Sequence, residues 1–292
     1  MKDNFFAYQR TISNSINCIG VGLHSGQVST IKLQPAPVDH GIVFKRVDIN
    51  DNNIVKADYR NVVCTKLGTT IANSHGVKVL TIEHLMAALW GCRIDNCLIE
   101  IDNEEVPIMD GSSEPFVFLI ECSGVQEQDK LRNFIEVLKT VSVEENNSRV
   151  SIAPSASFSV NMSIDFNDNV ISKQNGNFKL SELSFKNDLC RARTFGFAHE
   201  VEQLQSIGLA RGGSLENAIV VSDDRILNEE GLRYKDEFVK HKILDCIGDC
   251  YLSGYHVKGA IEGFKSGHSL NNKLLHALLS DDTAWRTCEA TA

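Results

Sequence analysis

The sequence predicts an α+β fold built in two halves, each opening with strands and closing with helices. Three observations predict it. Residues 8–47 alternate apolar and polar positions in short runs broken by Gly and Pro, as in Val28-Ser-Thr-Ile-Lys-Leu-Gln34 and Gly41-Ile-Val-Phe-Lys-Arg46. The pattern then turns helical in Thr81-Ile-Glu-His-Leu-Met-Ala-Ala-Leu-Trp90. After the polar stretch Val125-Gln-Glu-Gln-Asp-Lys130, strands followed by helices begin again, although no stretch of sequence repeats.

Taken in order, the first helix starts near Thr81 as N-cap and places Leu85, Ala88 and Leu89 on one face. Cys97 to Ile101 is a short buried strand, Asp102 to Glu105 a polar turn, and Ser113 to Cys122 a second helix approached through the turn-rich Pro107 to Ser113. Residues 125–130 carry little periodicity and read as a linker dividing a domain at 1–126 from one at 130–292. In the second half, strands are expected over Phe134 to Val143, Ser148 to Ile152 and Ser157 to Phe166. A loop is expected over Asn167 to Asn177, then helices over Ala198 to Ser206 and Glu237 to Leu252.

Bulk properties narrow the function. With 42% apolar and 23% charged residues the chain is an ordinary globular protein. A net charge of -9 repels a phosphate backbone, so no nucleic-acid partner is expected. The opening residues 1–15 lack an apolar segment behind a basic one, and runs such as Phe116 to Ile120 are far too short to span a bilayer. A cytoplasmic protein without a transmembrane segment is expected. Nine Cys with no CxxC argue against both a disulfide framework and a thiolate zinc site.

The segment from Asp236 to Asp249 carries the first chemistry: His241, Asp245 and Asp249 recur every four residues and share one helical face. An imidazole and a carboxylate one turn apart can reach a single zinc ion, although an amphipathic helix with a polar stripe would look the same. Glu83-His84 offers a third ligand, His84, and a base, Glu83; three protein ligands leave a fourth position for water. A solvated Glu beside a capping His is the plainer alternative. His268, in Lys265-Ser-Gly-His268, follows a Gly on what reads as a loop. Paired with Asp249, it could give a proton to a leaving amine; a surface His is the alternative.

Together these motifs closely resemble the bacterial UDP-3-O-acyl-N-acetylglucosamine deacetylases. The likeness runs from Arg10-Thr11 and Gly20-Val-Gly-Leu-His-Ser-Gly26 through the Thr81 segment, Ile94-Asp-Asn96 and Pro107-Ile-Met-Asp-Gly-Ser112. It continues through Arg191-Ala-Arg-Thr-Phe-Gly-Phe197, the His241 segment and the His268 segment, to about Leu279. The resemblance implies one Zn2+ held by His84, His241 and Asp245, with Glu83 as general base toward the water at the metal. It implies that Thr194 helps stabilise the oxyanion and that His268, partnered by Asp249, protonates the departing amine. Lys242 and Lys265 resemble cations near the substrate's carbonyl and diphosphate, and Asp165 and Phe166 a pair associated with uridine; the loop after Phe166 departs from the family in length. An insert at about 195–221, with Phe195 and Phe197, resembles a passage for the fatty acyl chain. The fold implied is two similar domains, each a sheet with two helices, packed helix to helix with the active site in the interdomain cleft. The implied reaction is deacetylation of a UDP-linked acylated amino sugar, an early committed step of lipid A synthesis; a monomer is expected, although nothing in the sequence sets the oligomeric state. A zinc amidase for another acyl group and a catalytically silent binding protein are the rival readings.

Overall fold

The structure is a computed structural model that describes residues 7–166, 170–222 and 225–291. Two five-stranded sheets dominate it. The first has the order Ile16–Val21, Val28–Pro35, Cys97–Ile101, Ile42–Arg46, Ile54–Lys56. The second has the order Val141–Glu145, Ser148–Ala153, Ala260–Phe264, Ser159–Asp165, Lys173–Lys179. Each contains one parallel pair, at the third and fourth positions, and antiparallel neighbours elsewhere. The α+β class holds, and the similar order of elements in the sequence is the trace of a shared topology.

A parallel pair needs a crossover connection, and helices lie within both of them. Among the described residues there are six α-helices: α1 Glu83–Gly91, α2 Glu114–Ser123, α3 Glu182–Asp188, α4 Ala198–Ser206, α5 Glu237–Tyr251 and α6 His268–Leu279. α1 precedes the central strand Cys97–Ile101 and α2 follows it; α5 and α6 flank Ala260–Phe264 in the same way. α5 and α6 cover the second sheet, and α1 packs across α5. Every residue of α1 is buried, which explains why its sequence after Glu83 and His84 is apolar on all sides rather than on one stripe. The approach of α1 to α5 depends on Gly248, where a Cβ would stand 2.1 Å from the Glu83 carbonyl oxygen.

Several expectations change. Residues Val125–Leu131 form no linker but a strand, antiparallel to Tyr8–Ile12. Most of its side chains are exposed, so the hydrophobic alternation that marks a half-buried strand is missing. The single strand expected over Phe134 to Val143 is two, Asn133–Val137 and Val141–Glu145, in different sheets; the first pairs with His256–Lys258 and Trp285–Glu289. Residues 173–177, expected as loop, belong to Lys173–Lys179, the outer strand of the second sheet, polar because it has a neighbour on one side only. Asn167 lies outside the described residues. Thr81 is not the N-cap: its φ is 57° and its hydroxyl donates to Glu105, while Ile82 precedes α1. Nor is His268 on a loop, since it is the first residue of α6. All nine cysteines are free and five are buried, and no helix among the described residues is long and apolar enough to cross a membrane.

Candidate active site

The helices α1, α5 and α6 meet at a cleft of about 450 Å³. α1 contributes Glu83 and His84 from its first turn; α5 contributes His241, Lys242 and Asp245, with Asp249 one turn further behind them; α6 begins with His268. His84, His241 and Asp245 are all buried, and one ligating atom from each lies within 4.8 Å of the others. The Asp245 Oδ1 stands 3.6 Å from His84 Nε2 and 3.3 Å from His241 Nε2. Ligands about 2.1 Å from a tetrahedral ion lie ~3.4 Å apart, so this spacing fits one metal.

The surroundings of the trio support the same fit. His241 Nδ1 lies 3.0 Å from the Ala192 carbonyl and donates to it, leaving the Nε2 lone pair toward Asp245. Burial pushes the His241 pKa down to about 3, keeping that nitrogen free of a proton. Asp245 Oδ2 accepts from Lys242 Nζ at 2.7 Å, whereas Oδ1 is buried without a hydrogen-bond donor. A buried carboxylate oxygen that faces two imidazole nitrogens, at 3.3 and 3.6 Å, is poorly satisfied by protein alone. Burial opposes ionisation of Asp245, but His241 and Lys242 outweigh it and hold the carboxyl well below its ordinary range.

Glu83 and His268 flank the trio. Glu83 accepts from the Thr69 backbone N–H at 3.0 Å, and its other oxygen lies 3.8 Å from His268 Nε2. Burial raises the Glu83 pKa above the usual carboxyl value, the direction a proton acceptor needs. His268 Nδ1 donates to Asp249 Oδ2 at 2.8 Å. Burial would drive its proton off, yet the Asp249 carboxylate, with Glu83 and Asp245, brings the pKa up to about 9. A proton is therefore held at Nε2, facing Glu83.

The remaining predicted residues converge on the same cleft. Thr194, Phe195 and Phe197 line it from the strand Phe195–Phe197 and its approach, beside Asp165, Phe166 and Lys265. Lys265 Nζ pairs with Asp165 Oδ2 at 3.3 Å, and Lys265 has a φ of 53°, a left-handed backbone at the cleft edge. Phe166 sits edge-on to Phe195 at 5.5 Å and tilted to Phe197 at 6.0 Å, forming an aromatic wall. Asp249 does not line the cleft; it acts behind His268.

Sequence reasoning missed several members. Glu105, read as part of a polar turn, is fully buried and accepts from the His24 and Ser25 backbone N–H groups and the Thr81 hydroxyl, which holds the rim loop that carries Leu23. Arg193 is buried and clamped by Glu237, Glu230 and the Gly231 carbonyl, setting Ala192 and Thr194 on either side. Nothing in local spacing marks these residues, since their partners lie tens of residues away.

Residues 9–280 match the family model for LpxC, UDP-3-O-acyl N-acetylglycosamine deacetylase. The chain is 49% identical over 279 residues to a UDP-3-O-acyl-N-acetylglucosamine deacetylase of Mannheimia succiniciproducens, an alignment covering 95% of this chain and 92% of the relative. It is 48% identical over 290 residues to a protein of the same name from Marinobacter nauticus, covering 97% and 95%.

Proposed function

Because this chain belongs to the UDP-3-O-acyl N-acetylglycosamine deacetylase family, we propose that it hydrolyses the N-acetyl group of UDP-3-O-acyl-N-acetylglucosamine to release acetate, as a zinc-dependent amidase of lipid A synthesis. The observation that carries the reading is the buried trio of His84, His241 and Asp245 with a proton acceptor and a proton donor on either side. His84, His241 and Asp245 would hold the zinc ion. When bound, it supplies a positive charge that acidifies water and draws electron density from a carbonyl oxygen. Glu83 takes a proton from the attacking water as its oxygen bonds to the acetyl carbon. Thr194 donates to the oxyanion. As the C–N bond breaks, the His268 Nε2 proton passes to the leaving nitrogen, and Asp249 keeps the imidazole oriented.

Lys242 and Lys265 meet the substrate's carbonyl and diphosphate, Asp165 and Phe166 its uridine, and Phe195 and Phe197 its acyl chain; the mixed lining of two ammonium groups and three phenyl rings supports that division. We read the fold as two similar domains, 1–126 and 130–292, packed helix to helix through α1 and α5 with the site between them and an acyl-chain insert at 195–221. The repeated sheet topology supports this reading. We read the working form as a cytoplasmic monomer with one zinc ion; that the trio, base and acid all come from one chain supports the monomer.

The test is metal content with acetate release, comparing wild type and His241→Ala. Wild type should carry one zinc and release acetate, and the variant should lose both. A zinc-loaded wild type that releases no acetate from this substrate would turn the reading toward a zinc amidase for another acyl group.

A further inference from the structure

Thr69 is the one described residue that hydrogen-bonds both to Glu83 and to Asp249. It follows Gly68 and precedes the strand Thr70–Ala72, and it is 2% exposed. Its backbone N–H donates to Glu83 Oε2 at 3.0 Å on α1. Its hydroxyl donates to Asp249 Oδ1 at 2.5 Å on α5 and lies 3.3 Å from His268 Nδ1 on α6. Gly68 leaves room for this approach: a Cβ there would stand 2.8 Å from Glu83 Oε1 and push that carboxylate aside. Thr69 is not among the residues that line the cleft.

We infer that Thr69 is a positioning residue whose hydroxyl fixes the Asp249 carboxylate, and through it the aim of His268, in the deacetylation proposed above, on which this inference rests. The other Asp249 oxygen, Oδ2, accepts from both His268 Nδ1 and Asn271 Nδ2, at 2.8 and 2.9 Å. With Oδ1 tied to Thr69, both oxygens have donors and the carboxylate plane cannot turn about its Cβ–Cγ bond without losing one. Remove the hydroxyl and a buried carboxylate oxygen is left without a donor, a costly state. The carboxylate then turns to share the donors that remain, and the line from Oδ2 to the imidazole is lost. The backbone contact of the same residue holds Glu83, so acid and base are referenced to one point in the chain.

The test compares Thr69→Val, which keeps the shape and removes the hydroxyl, with Thr69→Ser, which keeps the hydroxyl. Orienting partners of this kind are worth about 10–100-fold, so Thr69→Val should lower kcat by about that factor with KM and zinc content unchanged. The low-field imidazole N–H proton of His268 in the NMR spectrum of the zinc-loaded protein should shift or broaden. Thr69→Ser should restore both kcat and the resonance. If Thr69→Val does not fold, Thr69→Ala removes the same hydroxyl and is read in the same way. Wild-type kcat in the valine variant, a serine variant that falls equally far, or a loss confined to KM or zinc content would overturn the inference. A wild type that releases no acetate would instead count against the deacetylase reading, and the resonance would still decide the role of Thr69.

Discussion

Gly248→Ala tests whether the contact between α1 and α5 sets the metal site. In an exposed helix this change would stabilise the protein by about 1 kcal/mol through helix propensity. Here the added Cβ would lie 2.1 Å from the Glu83 carbonyl oxygen and 3.2 Å from the Ala87 nitrogen, both backbone atoms of α1 that no side-chain rotation can move away. Ordinary contact requires the helices to separate by about 1 Å, and overpacking of this kind costs about 1–3 kcal/mol or more. A net loss of about 2 kcal/mol is expected. Because α1 carries His84 and α5 carries His241 and Asp245, the same separation stretches the ligand set, for which about 0.2 Å matters. Zinc affinity should fall at least ~10-fold. Urea denaturation of the metal-free protein and competition with a chelator measure the two effects separately. An alanine variant more stable by about 1 kcal/mol, with unchanged zinc affinity, would refute the reasoning.

Other outcomes follow from the flanking groups. Glu83→Ala should lower kcat by about 10²–10⁴-fold with zinc retained, since Glu83 is placed as base and not as ligand; loss of zinc together with activity in metal analysis would remove it from that role. The pKa of about 9 at His268 places an alkaline limb on kcat, with activity present below and lost as pH rises through that value. The same shift favours the protonated folded state. It contributes stability that is complete below the unfolded histidine value of about 6.5 and lost as pH rises through about 9, on the order of 3 kcal/mol in all. Denaturation curves over that range should flatten in His268→Gln, and an unchanged pH dependence would count against the assignment.

The sequence by itself determined the parts whose signal is local. His241, Asp245 and Asp249 follow from a period of four on one helix, and α4 lies where its spacing placed it. Glu83-His84 could be paired with them only through resemblance, because nothing local says that α1 crosses α5. Tertiary structure alone decided the register of that crossing, the Gly248 contact that permits it, and the spacing of three ligand atoms from two helices. It also decided that Val125–Leu131 and Lys173–Lys179 are strands, because their backbone pairs while their side chains stay largely in solvent and leave no hydrophobic pattern. Thr69, Glu105 and Arg193 belong to the same class: each is polar, buried and held by partners distant in the chain. A sequence shows the chemistry each residue can offer, but which donor meets which acceptor is set by long-range packing, which has no local period to read.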